Sequence, residues 1–530
     1  MMTKDELFQT GNREKIWQKY CGFLDLSLAE FMEIQEQLLM DQIELVYDSP
    51  LGKKFMPIKP KDISEFRQLV PLTTYADYAP HIGDRQEDAL IPQSYYWTCT
   101  SGRGGTSKWV PYTERSAERA AIYSTAVMIL ACATKKGEVN VGNGVRVLHN
   151  LPPRPYMSGT LVYLVPQLID MRFIPPPDEY EDADFQTRIR AGFEISLRTG
   201  VDFLTSLATV LVKMGERFTE TSGQLKFNRR MLHPQIMWRL IGAWLRSKRE
   251  GRTILPKDLW PLKGLALYGT DTSIYREQLI HYWGIEPLET YAATEAGLIA
   301  THAWNKKTMT FAPSSCFLEF SPEEEWLKSR ENKDYQPSTV LLDEVKPGER
   351  YEIIITSFYG MPFLRYRLGD LIKIVALEDE EAGIKLPQML FDSRANDLID
   401  IAGFPRLDEK TMWQAIANTR IKYEDWSARK EYEKNMPIVR LYIELREEIE
   451  VQEVEKRIHQ ELVNINHDYK DLENMLGIRP LRVTTIVPGS FQSYYEERKR
   501  GGAALAQLKP PHMNASDTII QDLLSYAQNR

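Results

Sequence analysis

Cysteine is scarce. The 530 residues hold four, Cys21, Cys99, Cys132 and Cys316, far apart and never as CxxC. That spacing excludes a zinc ribbon and a disulfide framework, and it fits a reducing compartment. An excess of basic charge is also missing. Lys and Arg number 66 against 74 Asp and Glu, a net charge of −8. No overall field favours nucleic acid, so an anionic ligand must be held by local groups. Long apolar runs are absent too. The longest, Ala120 to Ala133, has about 14 residues, short of the roughly 20 that span a bilayer, and reads as a buried helix. The first residues, MMTKDELFQTGNREK, are too polar for a secretory signal. No repeat, low-complexity tract or Walker GxxxxGK[ST] spacing occurs. These absences lead to the expectation of a soluble, cytoplasmic, multi-domain chain with neither nucleic acid nor membrane as partner; its oligomeric state cannot be read.

What is present alternates between strand and helix signals. The apolar spacing of Ile16, Tyr20, Phe23, Leu24, Leu28, Phe31 and Met32 predicts one helix over 14–47, stopped by Asp48-Ser49-Pro50. Strands are expected at 95–100, 144–151, 262–268, 287–291, 351–356 and 370–375. Helices are expected at 114–133 and after the loop 269–273. This pattern argues for an α/β fold with mostly parallel strands and ligands at strand ends. Glu323 to Gln336 and Glu378 to Glu381 read as charged surface loops. Beyond about 396 the composition shifts. A strand at 439–445, a helix at 451–465 and a strand at 481–487 suggest a smaller α+β domain, with the boundary near Arg394 to Gly403.

Four segments can carry chemistry. Thr100-Ser101-Gly102-Arg103-Gly104-Gly105-Thr106-Ser107-Lys108 follows a strand and is expected to lead into a helix. Its glycines allow several N–H groups to face one concavity, and its hydroxyls and two cations suit phosphate oxygens. A plain Gly/Ser turn is the alternative. In Tyr291-Ala292-Ala293-Thr294-Glu295-Ala296-Gly297, Glu295 can hold Mg²⁺, Thr294 can donate to a phosphate and Tyr291 can stack on a base. The competing reading is a helix N-terminus capped by Thr294. In Arg365-Tyr366-Arg367-Leu368-Gly369-Asp370, Asp370 at the start of a strand can accept from two ribose hydroxyls, or the segment is a Gly-Asp turn with a surface ion pair. Lys509, in AQLKPP, is either a functional cation or a solvated tail residue.

The order of these segments resembles the adenylate-forming (acyl-activating) superfamily. TSGRGGTSK is similar to its TSGTTGxPK loop, YAATEAG to YxxTE, YRLGD to Y(R)xGD, and Ser393 to Leu398 to its hinge. Within it, the chain is most similar to the auxin-responsive acyl-acid amido synthetases and their bacterial relatives. That likeness rests on FRQLVPLTTYADYAPHI, YGTDTSIYREQL, RANDLIDIAGFPRLDEK and GSFQSYYEERKRGGAALAQLKPP, and extends from about Phe66 to Pro511.

The resemblance implies a large multi-lobed α/β domain, 1–395, that binds the acid and ATP, and a mobile α+β lid, 396–530. It implies activation of a carboxylic acid by ATP and Mg²⁺ as an acyl-adenylate. Transfer to an amine, an amino acid in the first instance, then gives an amide with release of AMP and pyrophosphate. A thiol acceptor (coenzyme A or a carrier protein) is the alternative, and a degenerate nucleotide-binding scaffold is a reading from another class. Residues implied by the motifs are Ser101, Gly102, Gly104, Gly105, Thr106 and Lys108 in the phosphate loop, with Arg103 beside them. Thr294 is implied at the α-phosphate and Glu295 on Mg²⁺. Tyr291, Gly269, Thr270 and Asp271 would lie around adenine. Asp370 would hold the ribose with Arg394 nearby, and Lys509 is the implied catalytic lysine. Three departures stand out. Arg103-Gly104 replaces two hydroxyl residues, Thr294 replaces the plant Ser, and the terminal Arg of QYKxPR is absent, with His512 close by.

Overall fold

A computed structural model describes residues 5–525 apart from 101–107, 150, 184, 223–232, 269–271, 333–334, 395–398, 402–405, 434–435, 467–468, 471–478 and 501–509. The described residues fall into two compact units. One comprises Met1–Thr100, Lys108–Leu368 and Ile372–Phe391; the other includes Gly369–Leu371 and the chain from Asp392 onwards.

The larger unit opens with helices. The expected helix over 14–47 is two, Arg13–Cys21 and Leu28–Val46, with a 3₁₀ turn at Gly22–Asp25. The break follows from Ser27 and Glu30, which form a capping box: Ser27 N donates to Glu30 Oε2 at 2.8 Å and Glu30 N to Ser27 Oγ at 3.3 Å. The apolar spacing continues across the break because both helices cover the same core.

A two-stranded hairpin, β1 (Tyr96–Cys99) and β2 (Trp109–Tyr112), comes next, then the helix Glu114–Cys132. The segment 100–108 is therefore a hairpin loop and not a strand-to-helix passage. Trp109–Tyr112, between the loop and the helix, is a strand that holds Pro111, which a two-stranded ribbon tolerates.

The main sheet has eleven strands. They are β3 (Val145–His149), β4 (Met171–Ile174), β5 (Phe203–Leu207), β6 (Gly264–Tyr268), β7 (Leu288–Ala293), β8 (Gly297–His302), β9 (Met309–Phe311), β10 (Cys316–Pro322), β11 (Arg350–Ser357), β12 (Tyr366–Ala376) and β13 (Gln388–Arg394). Their order is β10-β11-β12-β13-β9-β8-β7-β6-β5-β3-β4. Only the half from β7 to β4 is parallel. From β7 to β9 and on to β13, and between β10 and β11, the pairs are antiparallel. The expectation of mostly parallel strands thus holds for one half of the sheet. Strands β7, β8 and β9 are joined by short connections, which antiparallel pairs allow without a crossover helix. Glu323–Glu331 is a helix and not a loop; its first turn carries Glu323, Glu324 and Glu325, which favour the positive end of the helix dipole.

The smaller unit pairs β14 (Ile399–Asp400) with β15 (Arg406–Leu407). It then builds a sheet of β16 (Tyr423–Glu433), β17 (Met436–Leu445) and β18 (Leu481–Ile486). The helix Val451–Ile465 connects β17 to its parallel partner β18 and buries Val454, Ile458 and Leu462. Among the described residues no helix is long and apolar enough to cross a membrane. All four cysteines are buried and free.

Candidate active site

Strand β7 is the last of the parallel half, and a turn follows its carboxyl end. Ala293 pairs with Gly297, leaving Thr294, Glu295 and Ala296 as a three-residue hairpin loop. Gly297 sits at φ +75°, the left-handed position that such a loop demands and that glycine takes without strain. The alternative of a Thr294-capped helix is therefore excluded. The carboxyl ends of parallel strands, where ligands bind in open α/β sheets, lie here. Strand β6 ends beside the turn, with Tyr268 paired to Thr290.

Glu295 is buried. Its carboxylate Oε1 accepts from the Tyr366 hydroxyl at 3.1 Å. Its backbone carbonyl accepts from Ser357 Oγ at 2.6 Å, and the carbonyl of Thr294 accepts from the Tyr112 hydroxyl at 2.6 Å. The turn is thus held by the ends of β2, β11 and β12. Burial and then the charge of Glu295 push the Tyr366 and Tyr112 hydroxyls well above the usual tyrosine range. Both stay protonated donors at physiological pH. Tyr75 is raised by burial against a lowering hydrogen bond from Trp109 N, and the charge of Glu295 adds to the rise. The Lys108 ammonium lies 5.3 Å from the centroid of the Tyr75 ring. Thr100 N donates to Lys108 O at 3.0 Å and closes the base of the glycine loop.

Tyr366 is positioned by the segment Pro71 to Ile82. Thr73 N donates to Arg365 O and Arg367 N to Thr73 O, both at 2.9 Å. Thr73 Oγ1 donates to Leu364 O at 2.6 Å, and Leu364 N donates to the Tyr78 hydroxyl at 2.8 Å. Two segments about 290 residues apart are thus pinned together at an isolated parallel bridge between Thr73 and Tyr366. Arg365, at φ +42°, is buried and grips Glu319 through Nε and Nη2 at 3.0 and 2.8 Å, while Nη1 donates to Arg67 O and Val70 O. Arg367 makes a similar fork on Glu352. The surface ion pair offered as an alternative reading is replaced by two pairs whose carboxylates are buried.

Asp370 is buried but sits in the middle of β12 and not at a strand start. Gly369, at φ +72°, bends the strand just before it. Tyr291 is buried in β7 with its ring 5.5 Å from that of Phe391. Arg394 ends β13. Ser101, Gly102, Arg103, Gly104, Gly105, Thr106, Gly269, Thr270, Asp271 and Lys509 lie outside the described residues. Sequence reasoning missed Tyr75, Tyr112 and Ser357. Tyr366 stood inside a quoted motif without a role.

The chain is similar to known proteins. The GH3 family N-terminal domain matches residues 22–148, its central domain 309–394 and its C-terminal domain 409–518, together more than half of the chain. A jasmonoyl–L-amino acid synthetase of Nicotiana attenuata is 27% identical over 256 residues, 45% of this chain and 41% of the relative. An indole-3-acetic acid-amido synthetase of Arabidopsis thaliana is 24% identical over 291 residues, 50% of this chain and 47% of the relative. The chain thus spans less than half the length of these relatives. Among solved structures, an acyl acid amido synthetase in complex with 2,4-DB superposes with a TM-score of 0.68 at 17% identity, covering 95% of each chain. A 2-hydroxyisobutyryl-CoA ligase in complex with 2-HIB-AMP gives 0.61 at 13%, covering 95% of this chain and 94% of that one. At such identities the likeness is one of fold.

Proposed function

The chain belongs to the GH3 family, and we propose that it is an ATP-dependent acyl-acid amido synthetase. The observation that carries this reading is the Thr294–Glu295 turn at the end of β7, with a buried carboxylate that accepts from Tyr366. A substrate carboxylate oxygen attacks the α-phosphorus of ATP, and the bond to pyrophosphate breaks. An amino acid nitrogen then attacks the acyl carbon, the bond to AMP breaks, and the amine proton passes to solvent. The first step needs no general base, because the acid is already ionised at neutral pH. The barrier is mainly one of charge and alignment.

In this reading Ser101 to Thr106 and Lys108 hold the phosphates, and Thr294 donates to the α-phosphate. Tyr291 with Gly269, Thr270 and Asp271 surrounds adenine. Asp370 holds the ribose beside Arg394. The acyl- and ATP-binding domain is 1–395. Residues 396–530 form a lid that brings Lys509 to the developing charge. Glu295 suits Mg²⁺: it offers a hard oxygen, and among the described residues no group of three His, Cys, Asp or Glu side chains could hold a metal alone. Mg²⁺ needs only one or two carboxylates when phosphates and waters complete its shell. Bound there, it would neutralise triphosphate charge. The buried, unpaired thiols suit a cytoplasmic location.

A pyrophosphate-release screen over a panel of carboxylic acids, each with and without amino acids, tests the reading. Release that depends on acid, with an acid–amino acid amide found by mass, is the expected result. Thioester formation with coenzyme A, and no amide with any amino acid, would overturn it.

A further inference from the structure

Two arginines beside the turn lack a role in the reaction as assigned so far. Arg115 and Arg119 lie one helical turn apart near the start of the helix Glu114–Cys132. Their guanidinium carbons sit 5.4 and 5.6 Å from the centroid of one ring, that of Tyr359. Among the described residues neither has a carboxylate partner. The arrangement is unfavourable by itself. Like charges four residues apart on a helix repel, and cations oppose the positive end of the helix dipole. A stacked guanidinium pair without a carboxylate is a fork open to a planar anion.

Tyr359 is held for this purpose from several sides. It adopts φ +60°, a conformation that costs a bulky residue energy and persists only when its surroundings impose it. Its carbonyl accepts from Thr113 Oγ1 at 2.8 Å, and its hydroxyl donates to Ser314 O at 2.8 Å. The next two residues are fixed by Gln42, which accepts from Gly360 N and donates to Met361 O, both at 2.7 Å. Tyr123, a further turn along the same helix, bonds Ser314 Oγ at 2.7 Å. The whole group stands next to the candidate adenylation centre. Thr113, which caps the helix, follows Tyr112, whose hydroxyl bonds the Thr294 carbonyl. Ser315, next to Ser314, approaches Gly297 at the end of the turn.

We propose that Arg115 and Arg119, stacked on Tyr359, bind the α-carboxylate of the acceptor amino acid and so present its amine to the acyl-adenylate. This rests on the amide-forming reading above. That reading spends Lys108 and Lys509 on phosphate and leaves the acceptor's own carboxylate without a cation. A fork beside the turn supplies one, and it selects amino acids over simple amines because an uncharged carboxamide cannot replace the anion.

The test compares Arg115→Ala, Arg119→Ala and Arg119→Lys with wild type. The acid is the one that releases most pyrophosphate in the panel. Three acceptors are used: the best amino acid, its carboxamide, and hydroxylamine. Melting curves establish folding, and Arg119→Lys, which keeps the charge without the fork, guards against a collapsed alanine variant. For Arg119→Ala the expected result is an amino acid KM raised about tenfold or more, as for loss of one partner in a charged contact. The carboxamide KM should be nearly unmoved, and hydroxamate formation should change by less than about threefold. Arg119→Lys should fall between. An unchanged preference for the amino acid over its carboxamide would overturn the proposal while leaving amide synthesis intact. A rise in KM for ATP or for the acid, with the acceptor unaffected, would assign the pair to phosphate or acid and overturn it too. If wild type makes no amide, the amide-forming reading fails and this proposal falls with it.

Discussion

The hydroxyl of Tyr366 donates to the Glu295 carboxylate at 3.1 Å, joining residues 71 positions apart. The ring of Tyr366 packs on Tyr78 and Phe363. Tyr366→Phe therefore removes the donor and keeps the packing. A buried carboxylate that loses one donor pays desolvation, about 1–3 kcal/mol, and gains rotational freedom. Acid-dependent pyrophosphate release should fall about tenfold, with a higher Mg²⁺ requirement and a modestly lower melting temperature. Unchanged Mg²⁺ dependence would show that Glu295 is not the metal ligand.

Among the described residues of the larger unit, Arg365 and Glu319 form the most enclosed ion pair, with side chains 8% and 1% exposed. Removing one partner strands a buried charge, at about 3–5 kcal/mol, whereas replacing both by apolar groups is often tolerated. Arg365→Ala should lower the urea midpoint sharply and reduce activity through Tyr366, its neighbour in the chain. The double variant Arg365→Met, Glu319→Leu should recover part of that loss. If the double variant is as unstable as the sum of the single ones, the pair does not act as a unit.

The helix Val451–Ile465 was readable because its buried residues recur at helical spacing. The pair Thr294-Glu295 was readable as a motif because its residue types sit side by side. Its hairpin context was not, since a turn carrying Thr and Glu also reads as a helix cap. The bonds from Tyr366 to Glu295 and from Arg365 to Glu319 could not be read. Periodicity reports burial along one element, whereas these pairs depend on which strands become neighbours. Trp109–Tyr112 is only four residues long and pairs across the glycine loop with Tyr96–Cys99, a partnership that no local spacing announces.

Lys509 is followed by two prolines that fix φ, and then by a segment fastened to β16. Ser427 Oγ donates to Pro511 O at 2.8 Å, Ala428 N to His512 O at 2.6 Å, and Asn514 N to Ala428 O at 2.7 Å. A cation presented to charge that develops only in the transition state acts on rate more than on binding. Lys509→Ala should lower adenylation about a hundredfold or more, with the melting temperature and the KM for ATP little changed. Full activity, measured by acid-dependent pyrophosphate release, would remove Lys509 from the reaction.

His512 closes that segment. Its Nδ1 lies 2.7 Å from Glu409 and its Nε2 2.8 Å from Asp425, and its ring stacks on Trp426 at 4.5 Å. Burial alone would lower the imidazole pKa, but the carboxylates of Asp425 and Glu409 outweigh it and raise it from 6.5 to about 9. A group whose folded pKa is raised stabilises fully below its unfolded value and loses that contribution as pH rises through the folded one. Stability of the smaller unit should thus decline between about pH 6.5 and 9, by at most about 3 kcal/mol, as the imidazolium gives up its proton. Tryptophan-monitored unfolding across pH 6–10 measures this. His512→Ala should be less stable at pH 7 and lack the decline. His512→Arg, whose guanidinium stays charged and also stacks, should keep the stabilisation to higher pH. A wild-type profile that is flat between pH 6.5 and 9.5 would mean that the imidazole is neutral between its two carboxylates.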